Sequence, residues 1–259
     1  EFDALIGDGD QACRFFEDYC RFPPEIPRLY LTTNFSTSNP AVLNLSMKYD
    51  EIIDDTWKLV RSVFPDMTDA VVIAGDPLIT DSVYAHLSPL AVGDGIPLRV
   101  IDGFSFGELR DIVARLSPTT AVFYTPVIVD RDGKKAIPRQ LLAELTGSSP
   151  APFFSFWETM IGNGAVGGHA ISARTAAREM LRAVGDYGNT GSFGDKYVFY
   201  GCLLDWDAME RHGLETGAIP ADATVINKPP PAYIRYAELV MRIATLALAA
   251  LSVILLVSV

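Results

Sequence analysis

The sequence predicts an α/β protein in which parallel sheet is covered by helices, followed by an apolar helix at the C-terminus. Short apolar runs such as Arg28–Thr32, Asp69–Ala74 and Ala121–Thr125 alternate with longer amphipathic stretches almost throughout. With 259 residues, 49% of them apolar, the chain can bury a substantial core. The tail from Ile243 to Val259 carries no charge, no Gly and no Pro. No internal repeat and no Gly/Ser-rich linker interrupts the alternation.

Taken in order, Asp3–Ile6 reads as a short buried strand, followed by a Gly/Asp loop and a helix over Gln11–Tyr19. Asp10, just ahead of that helix, is placed to cap it. Arg28–Thr32 is the second strand and ends in the polar loop Thr33–Asn39. Tyr49–Val63 has helical spacing, with Ile52, Ile53, Trp57, Val60 and Val63 turned inward. Asp69–Ala74 is a strand running into Gly75-Asp76-Pro77, and Ile79–Leu87 is the next helix. Strand Leu98–Asp102, helix Phe106–Leu116, strand Ala121–Thr125, helix Pro138–Leu145 and strand Pro152–Phe156 follow. The Gly-rich stretch Gly162–Gly168 leads into His169–Ser172 and a helix over Ala173–Val184. Tyr197–Tyr200, the short helical Trp206–His212 and Ala223–Asn227 complete the pattern before the proline cluster Pro229–Pro231.

The tail reads as a membrane-spanning helix over 239–259. Its 17 uncharged residues at about 1.5 Å each reach roughly 25 Å, close to a bilayer core of about 30 Å. Arg242 can snorkel to the headgroups, and Tyr233 and Tyr236 stand where an interfacial aromatic belt belongs. The alternative is a buried core helix, which rarely lacks a polar face altogether. Because the first residues already read as a strand and the last falls inside the apolar run, a longer protein is expected on both sides.

Acidic residues outnumber basic ones 32 to 21, a net charge of −11. No basic stripe exists to neutralise phosphates, so no nucleic-acid partner is expected. Cys13 and Cys20 lie seven residues apart on the expected helix, about 10 Å between Cα atoms, too far to bridge. Cys202 stands alone, and His86, His169 and His212 are scattered, so no metal site and no cofactor are expected.

Several patterns invite an enzymatic reading. Gly162-Asn163-Gly164-Ala165-Val166-Gly167 matches G-x-G-x-x-G, but a dinucleotide fingerprint needs a strand entering the first Gly and a helix opening within the motif. Here the expected strand ends five residues earlier and the helix begins only near Ala173, which favours a tight backbone turn. Asp130-Arg131-Asp132-Gly133 begins like a calcium loop but lacks the later carboxylates, so a β-turn is expected. No G-x-S-x-G elbow, Walker A loop, HExxH or SxxK occurs, and this segment is not expected to be an enzyme.

The order of several segments resembles the periplasmic-binding-protein-like sensor domains of bacterial transmembrane receptors, such as sensor histidine kinases, a branch of the ABC-transporter substrate-binding family. These segments are Phe2–Phe15, Arg21–Leu31, Val71–Asp81, Leu116–Gly133, Ser148–Gly168 and the closing run Asp205–Tyr236 before the apolar helix. The resemblance implies a type I periplasmic-binding fold, two Rossmann-like α/β lobes around a central cleft. On this chain lobe one would take 1–46 with 165–190, lobe two 47–164 with 191–227, then a linker over 228–238. The family has further strands ahead of the segment matching Phe2, so the N-terminal part of lobe one is expected to be missing.

In such sheets the loops after the strand carboxyl ends form the ligand crevice. Candidate ligand contacts are Asp10 and Asn34 from lobe one, and Asp76, Tyr124, Phe156, Trp157 and Glu158 from lobe two. Aromatic side chains would give a stacking wall, and the carboxylates would accept hydrogen bonds from an amine or a sugar hydroxyl. Three acidic groups in that set favour a ligand bearing an ammonium group. The resemblance implies an extracytoplasmic sensing domain at the bacterial inner membrane, its soluble part in the periplasm. Its partners would be a small-molecule ligand, the membrane and, as in related receptors, a second copy of itself in a homodimer. A membrane-anchored solute-binding protein of an ABC importer is the competing expectation.

Overall fold

Leu5–Asp8 (β1), Arg28–Thr32 (β2) and Val42–Ser46 (β3) lie side by side, all parallel, with β2 in the middle. The computed structural model describes residues 3–23, 26–32, 35–39, 42–46, 49–75, 77–194, 197–230 and 236–257. Residues Glu1–Ile226 form one unit and Asn227–Val259 another.

Alternation along β2 explains how the small sheet is covered. Leu29 and Leu31 share a cluster with Leu45 and with Ala176, Met180 and Ala183 of the helix Ala173–Thr190 (α6). Tyr30, on the opposite face, packs with Cys13 and Phe16 of the helix Asp10–Tyr19 (α1). Glu17 of α1 accepts hydrogen bonds from the Tyr30 hydroxyl (2.7 Å) and from Arg28 (3.1 Å), so the buried guanidinium has a carboxylate partner.

The larger sheet has the order β10-β9-β8-β7-β6-β4-β5. Its members are Asp69–Ile73 (β4), Leu98–Ile101 (β5), Thr120–Tyr124 (β6), Phe153–Phe154 (β7), Gly167–Ile171 (β8), Tyr200–Asp205 (β9) and Thr224–Ile226 (β10). All its pairs are parallel except β8–β9. Ala70 and Val72 of β4 face one cluster while Val71 and Ile73 face the other, as strand periodicity requires. The first cluster takes in helices Tyr49–Val63 (α2) and Pro77–Gly93 (α3). The second takes in Phe106–Val113 (α4) and Pro138–Ser148 (α5). A short helix, Trp206–Arg211 (α7), follows β9.

Most elements stand within two or three residues of where the sequence places them. Three differ more. Strand β3 is unforeseen because its apolar run is broken by Asn44, whose amide instead donates to Thr37 O and accepts from Thr37 N. Helix α3 continues past Leu87 to Gly93, with Pro89 on its exposed side and Ala91 buried. The strand expected at Tyr197–Tyr200 begins at Tyr200, and it runs antiparallel to β8. Of the lobe division expected from the sequence, α6 lies against the small sheet, while β8, within 165–190, belongs to the large one.

The G-x-G-x-x-G stretch is a tight passage from β7 into a strand, not into a helix. A Cβ on Gly167 would meet Leu203 O at 2.5 Å, and one on Gly168 would meet Ser155 O at 2.2 Å. Glycine there lets β7, β8 and β9 close on one another. The Asp130–Gly133 segment is a turn: Asp130 accepts from the backbone N–H groups of Phe106, Asp132 and Lys134. In the second unit, the helix Ala237–Val257 (α8) forms where an apolar helix is expected. Among the described residues no helix is long and apolar enough to cross a membrane. The side chains of 249–259, most of the expected span, lie outside the described residues.

Candidate functional site

Two bodies of the first unit face one another across a cleft of about 660 Å³. The small-sheet body contributes Ile6 and Asp8 from β1, Leu31 from β2, and the α6 face carrying Ala173, Ala176, Ala177, Met180 and Leu181. The large-sheet body contributes Tyr49 at the start of α2, Ile171 at the end of β8, and Trp157, Glu158 and Thr159 after β7.

The local chain explains each placement. β7 is only two residues long, Phe153–Phe154. The chain leaves the sheet there and turns through a short 3-10 segment, Glu158–Met160, which brings Trp157 and Glu158 to the cleft. The Trp157 ring is wedged edge-on to Phe156 (6.0 Å, 77°) and stands 6.3 Å from the Tyr49 ring at 50°. Burial, and after it the Asp10 carboxylate, push the Tyr49 pKa up, so its hydroxyl stays protonated as a donor.

The sequence-derived candidates separate into three groups. Trp157 and Glu158 line the cleft, and Asp10 acts electrostatically on Tyr49 beside it. Tyr124 and Phe156 are fully buried and line neither large cleft. Tyr124 donates its hydroxyl to Pro138 O at 3.0 Å, and Phe156 stacks on Phe123 at 6.0 Å and 10°. Their role is packing: Tyr124 ends β6, a strand covered on both faces and buried right up to its carboxyl end, and Phe156, two residues beyond β7, packs into the first cluster. Asn34 and Asp76 lie outside the described residues.

A second cleft of about 670 Å³ opens at the carboxyl ends of β4, β5 and β6, and Gly75 and Pro77, the neighbours of Asp76, line it. β4 sits between β5 and β6, so the chain reverses direction across the sheet there. The two strand ends are tied by Thr125, whose hydroxyl donates to Ile73 O (2.8 Å) and accepts from Gly75 N (2.7 Å).

Sequence reasoning did not single out Asp8 or Tyr49 as contacts. Asp8 carried a usable signal, a carboxylate at the carboxyl end of a strand; Tyr49 carried none beyond an aromatic residue opening a helix. The buried thiols offer little reactivity. Burial first, then neighbouring carboxylates, push both Cys13 and Cys202 up to about 11, so both stay protonated at neutral pH. Among the described residues no group of three His, Cys, Asp or Glu side chains could hold a metal ion.

No protein-family model matches the chain, and no curated protein matches it. Solved structures do. The ligand-free, open form of a substrate binding protein with adhesive properties from Clostridium difficile aligns with a TM-score of 0.61 at 11% identity, covering 88% of this chain and 79% of that one. An ABC domain in complex with L-Trp from Streptococcus pneumonia aligns at 0.53 and 11% identity, covering 86% and 78%. A conserved domain protein from Vibrio cholerae aligns at 0.52 and 13% identity, covering 87% and 78%. Likeness at such identities is likeness of fold: the chain has the mixed α/β architecture of periplasmic-binding-protein-like structures.

Proposed function

We propose that the first unit is a small-molecule-binding domain whose ligand sits between the two sheets. One observation carries this reading: Trp157 and Glu158 from one body face Asp8 from the other across a single cleft. Contacts to both bodies let a ligand favour whichever arrangement it binds better, the physical requirement for closure. The cleft's carboxylates, Asp8 and Glu158, favour a ligand that presents an ammonium group or hydroxyl donors.

In the fuller reading the domain is the extracytoplasmic sensor of a bacterial transmembrane receptor, and closure is passed to a membrane helix over 239–259. The uncharged run 243–259 and the likeness of fold support it. A membrane-anchored solute-binding protein of an importer is the second reading, favoured by the likeness of fold to the Clostridium difficile substrate binding protein.

The test is a thermal-shift screen of amines, amino acids and sugars, repeated on Trp157→Ala and Glu158→Gln. A compound that stabilises the native chain and loses its effect in both variants supports the reading; hits indifferent to both variants overturn it. Sedimentation with phospholipid vesicles, with and without residues 239–259, tests membrane attachment. An output domain encoded downstream of Val259 favours the receptor, and a stop codon there favours the anchored binding protein.

A further inference from the structure

A cavity of about 300 Å³, smaller than either large cleft, lies against the first turns of α6 and the strands β8, β9 and β10. Two small residues leave room for it: Ala170 of β8 is the cross-strand partner of Gly201 of β9, and a Cβ on Gly201 would meet nothing within 4 Å. Around them stand Arg174, Thr175 and Arg178 of α6 and Thr224 of β10. The turn after β7 adds Glu158, which also lines the main cleft.

These polar groups have no partners within the protein. Arg174, Arg178 and Arg182 follow one another at single-turn intervals along α6. Arg182, outside the cavity, is ion-paired with Glu179 at 2.5 Å and Asp186 at 4.0 Å and lies 4.6 Å over the Tyr197 ring. Arg174 and Arg178, inside it, make no ion pair or side-chain hydrogen bond among the described residues. Nor, among those residues, do Glu158 and the hydroxyls of Thr175 and Thr224. Two like charges one turn apart on a helix repel. In a chain with 32 acidic residues against 21 basic ones, two uncompensated guanidinium groups at one cavity call for an anion.

The lining also says which anion. Each guanidinium fork matches two oxygens of an oxyanion, and the threonine hydroxyls can donate to others, so oxygens are wanted on several sides. Glu158 can only accept: it repels an oxyanion without a proton and takes a hydrogen bond from one that carries a proton. We propose that this cavity is a binding site for hydrogen phosphate, its charged oxygens held by Arg174 and Arg178 and its P–OH donating to Glu158. Sulfate has the same shape but no proton at neutral pH, and the same carboxylate disfavours it. The site needs no passage into the main cleft and does not depend on what binds there.

Calorimetric titration of the whole chain with inorganic phosphate and with sulfate, in a buffer free of both, tests the assignment. Phosphate is expected to bind at least about tenfold more tightly than sulfate. Arg174→Gln with Arg178→Gln should weaken phosphate by at least about tenfold, whereas Arg182→Gln, one turn further along the same helix, should leave it unchanged. Glu158→Gln should narrow the gap between the two anions, because an amide donates to either. Both arginines are exposed and glutamine suits a helix, so the double variant keeps its fold, checked by an unchanged melting temperature without ligand. Arg174→Lys with Arg178→Lys, which keeps the charges and loses the forks, should weaken phosphate by less. Sulfate bound as tightly as phosphate, phosphate bound equally by the native chain and the glutamine double variant, a gap that persists in Glu158→Gln, or no phosphate binding at all overturns the proposal.

Discussion

The Tyr49 and Trp157 rings stand 6.3 Å apart at 50°, joining the start of α2 to the turn after β7 along one wall of the cleft. The pair is tilted and only partly buried, so a face of Trp157 remains for a ligand to cover. Trp57, by contrast, is 3% exposed, stacks on Phe123 at 5.9 Å and donates its ring N–H to Asp94.

Trp157 should therefore report binding and Trp57 should not. A ligand identified by the screen is expected to shift the tryptophan emission of the native chain, and Trp157→Phe should remove most of that shift. Calorimetry on the same variant should show affinity reduced by no more than about tenfold, since an aromatic face is kept. An unchanged emission shift in Trp157→Phe would place the ligand elsewhere.

Phe156, one residue earlier, should behave in the opposite way. Its ring is fully buried between Phe123 and Trp157, so Phe156→Ala is expected to cost about 3–5 kcal/mol of stability. Tyr124→Phe should cost about 1–2 kcal/mol, because the hydroxyl that donates to Pro138 O and accepts from Val127 N is lost. Urea unfolding midpoints measure both, and ligand affinity of the folded Tyr124→Phe protein should stay at the native value.

This contrast also shows what a sequence can and cannot reveal here. The alternation of apolar runs placed β2, β4, β6 and α2 to within a residue, because burial on both strand faces or on one helix stripe writes itself into residue type. Tyr124, Phe156 and Trp157 all looked like aromatic residues at strand ends. Which of them reaches the cleft depends on β7 ending after Phe154 and on the turn that follows, and nothing in residue type announces that. The same holds for β3, where Asn44 hides a strand because its polar groups are satisfied by Thr37. Glu158's position between two cavities depends on contacts from α6, β8 and β9, distant in the chain.

The glycines after β7 should be separable by substitution. Gly168→Ala would put a methyl group 2.2 Å from Ser155 O, so the backbone of β7 or β8 must shift. A loss of more than about 2 kcal/mol is expected, in the range of overpacked cores. Gly201→Ala, on the neighbouring strand β9, meets nothing within 4 Å and should stay within about 0.5 kcal/mol of native. Equal effects at the two positions would refute the close approach of β7 and β8 as the reason for the glycine-rich stretch.

Stability should fall as the pH drops through the ordinary histidine range. Burial lowers the pKa of both His169 and His212, and each keeps one buried ring nitrogen without a hydrogen-bond partner among the described residues. Around His169 the carboxylates of Asp55 and Asp222 act to raise the pKa and Lys58 to lower it, but burial outweighs them. Around His212 a hydrogen bond with Pro150 raises it and Arg211 lowers it, again with burial dominant. A lowered folded pKa means that below the unfolded value of 6.5 the unfolded chain binds protons that the folded one refuses. Above that pH the two states bind alike and the histidines contribute no slope. Below it, unfolding is favoured progressively until the folded pKa is reached, where the loss levels off. Urea midpoints between pH 8 and 5 are therefore expected to decline below about pH 6.5. Replacing both residues, His169→Gln with His212→Gln, should flatten that decline, whereas a slope unchanged in the double variant would assign it to the carboxylates instead.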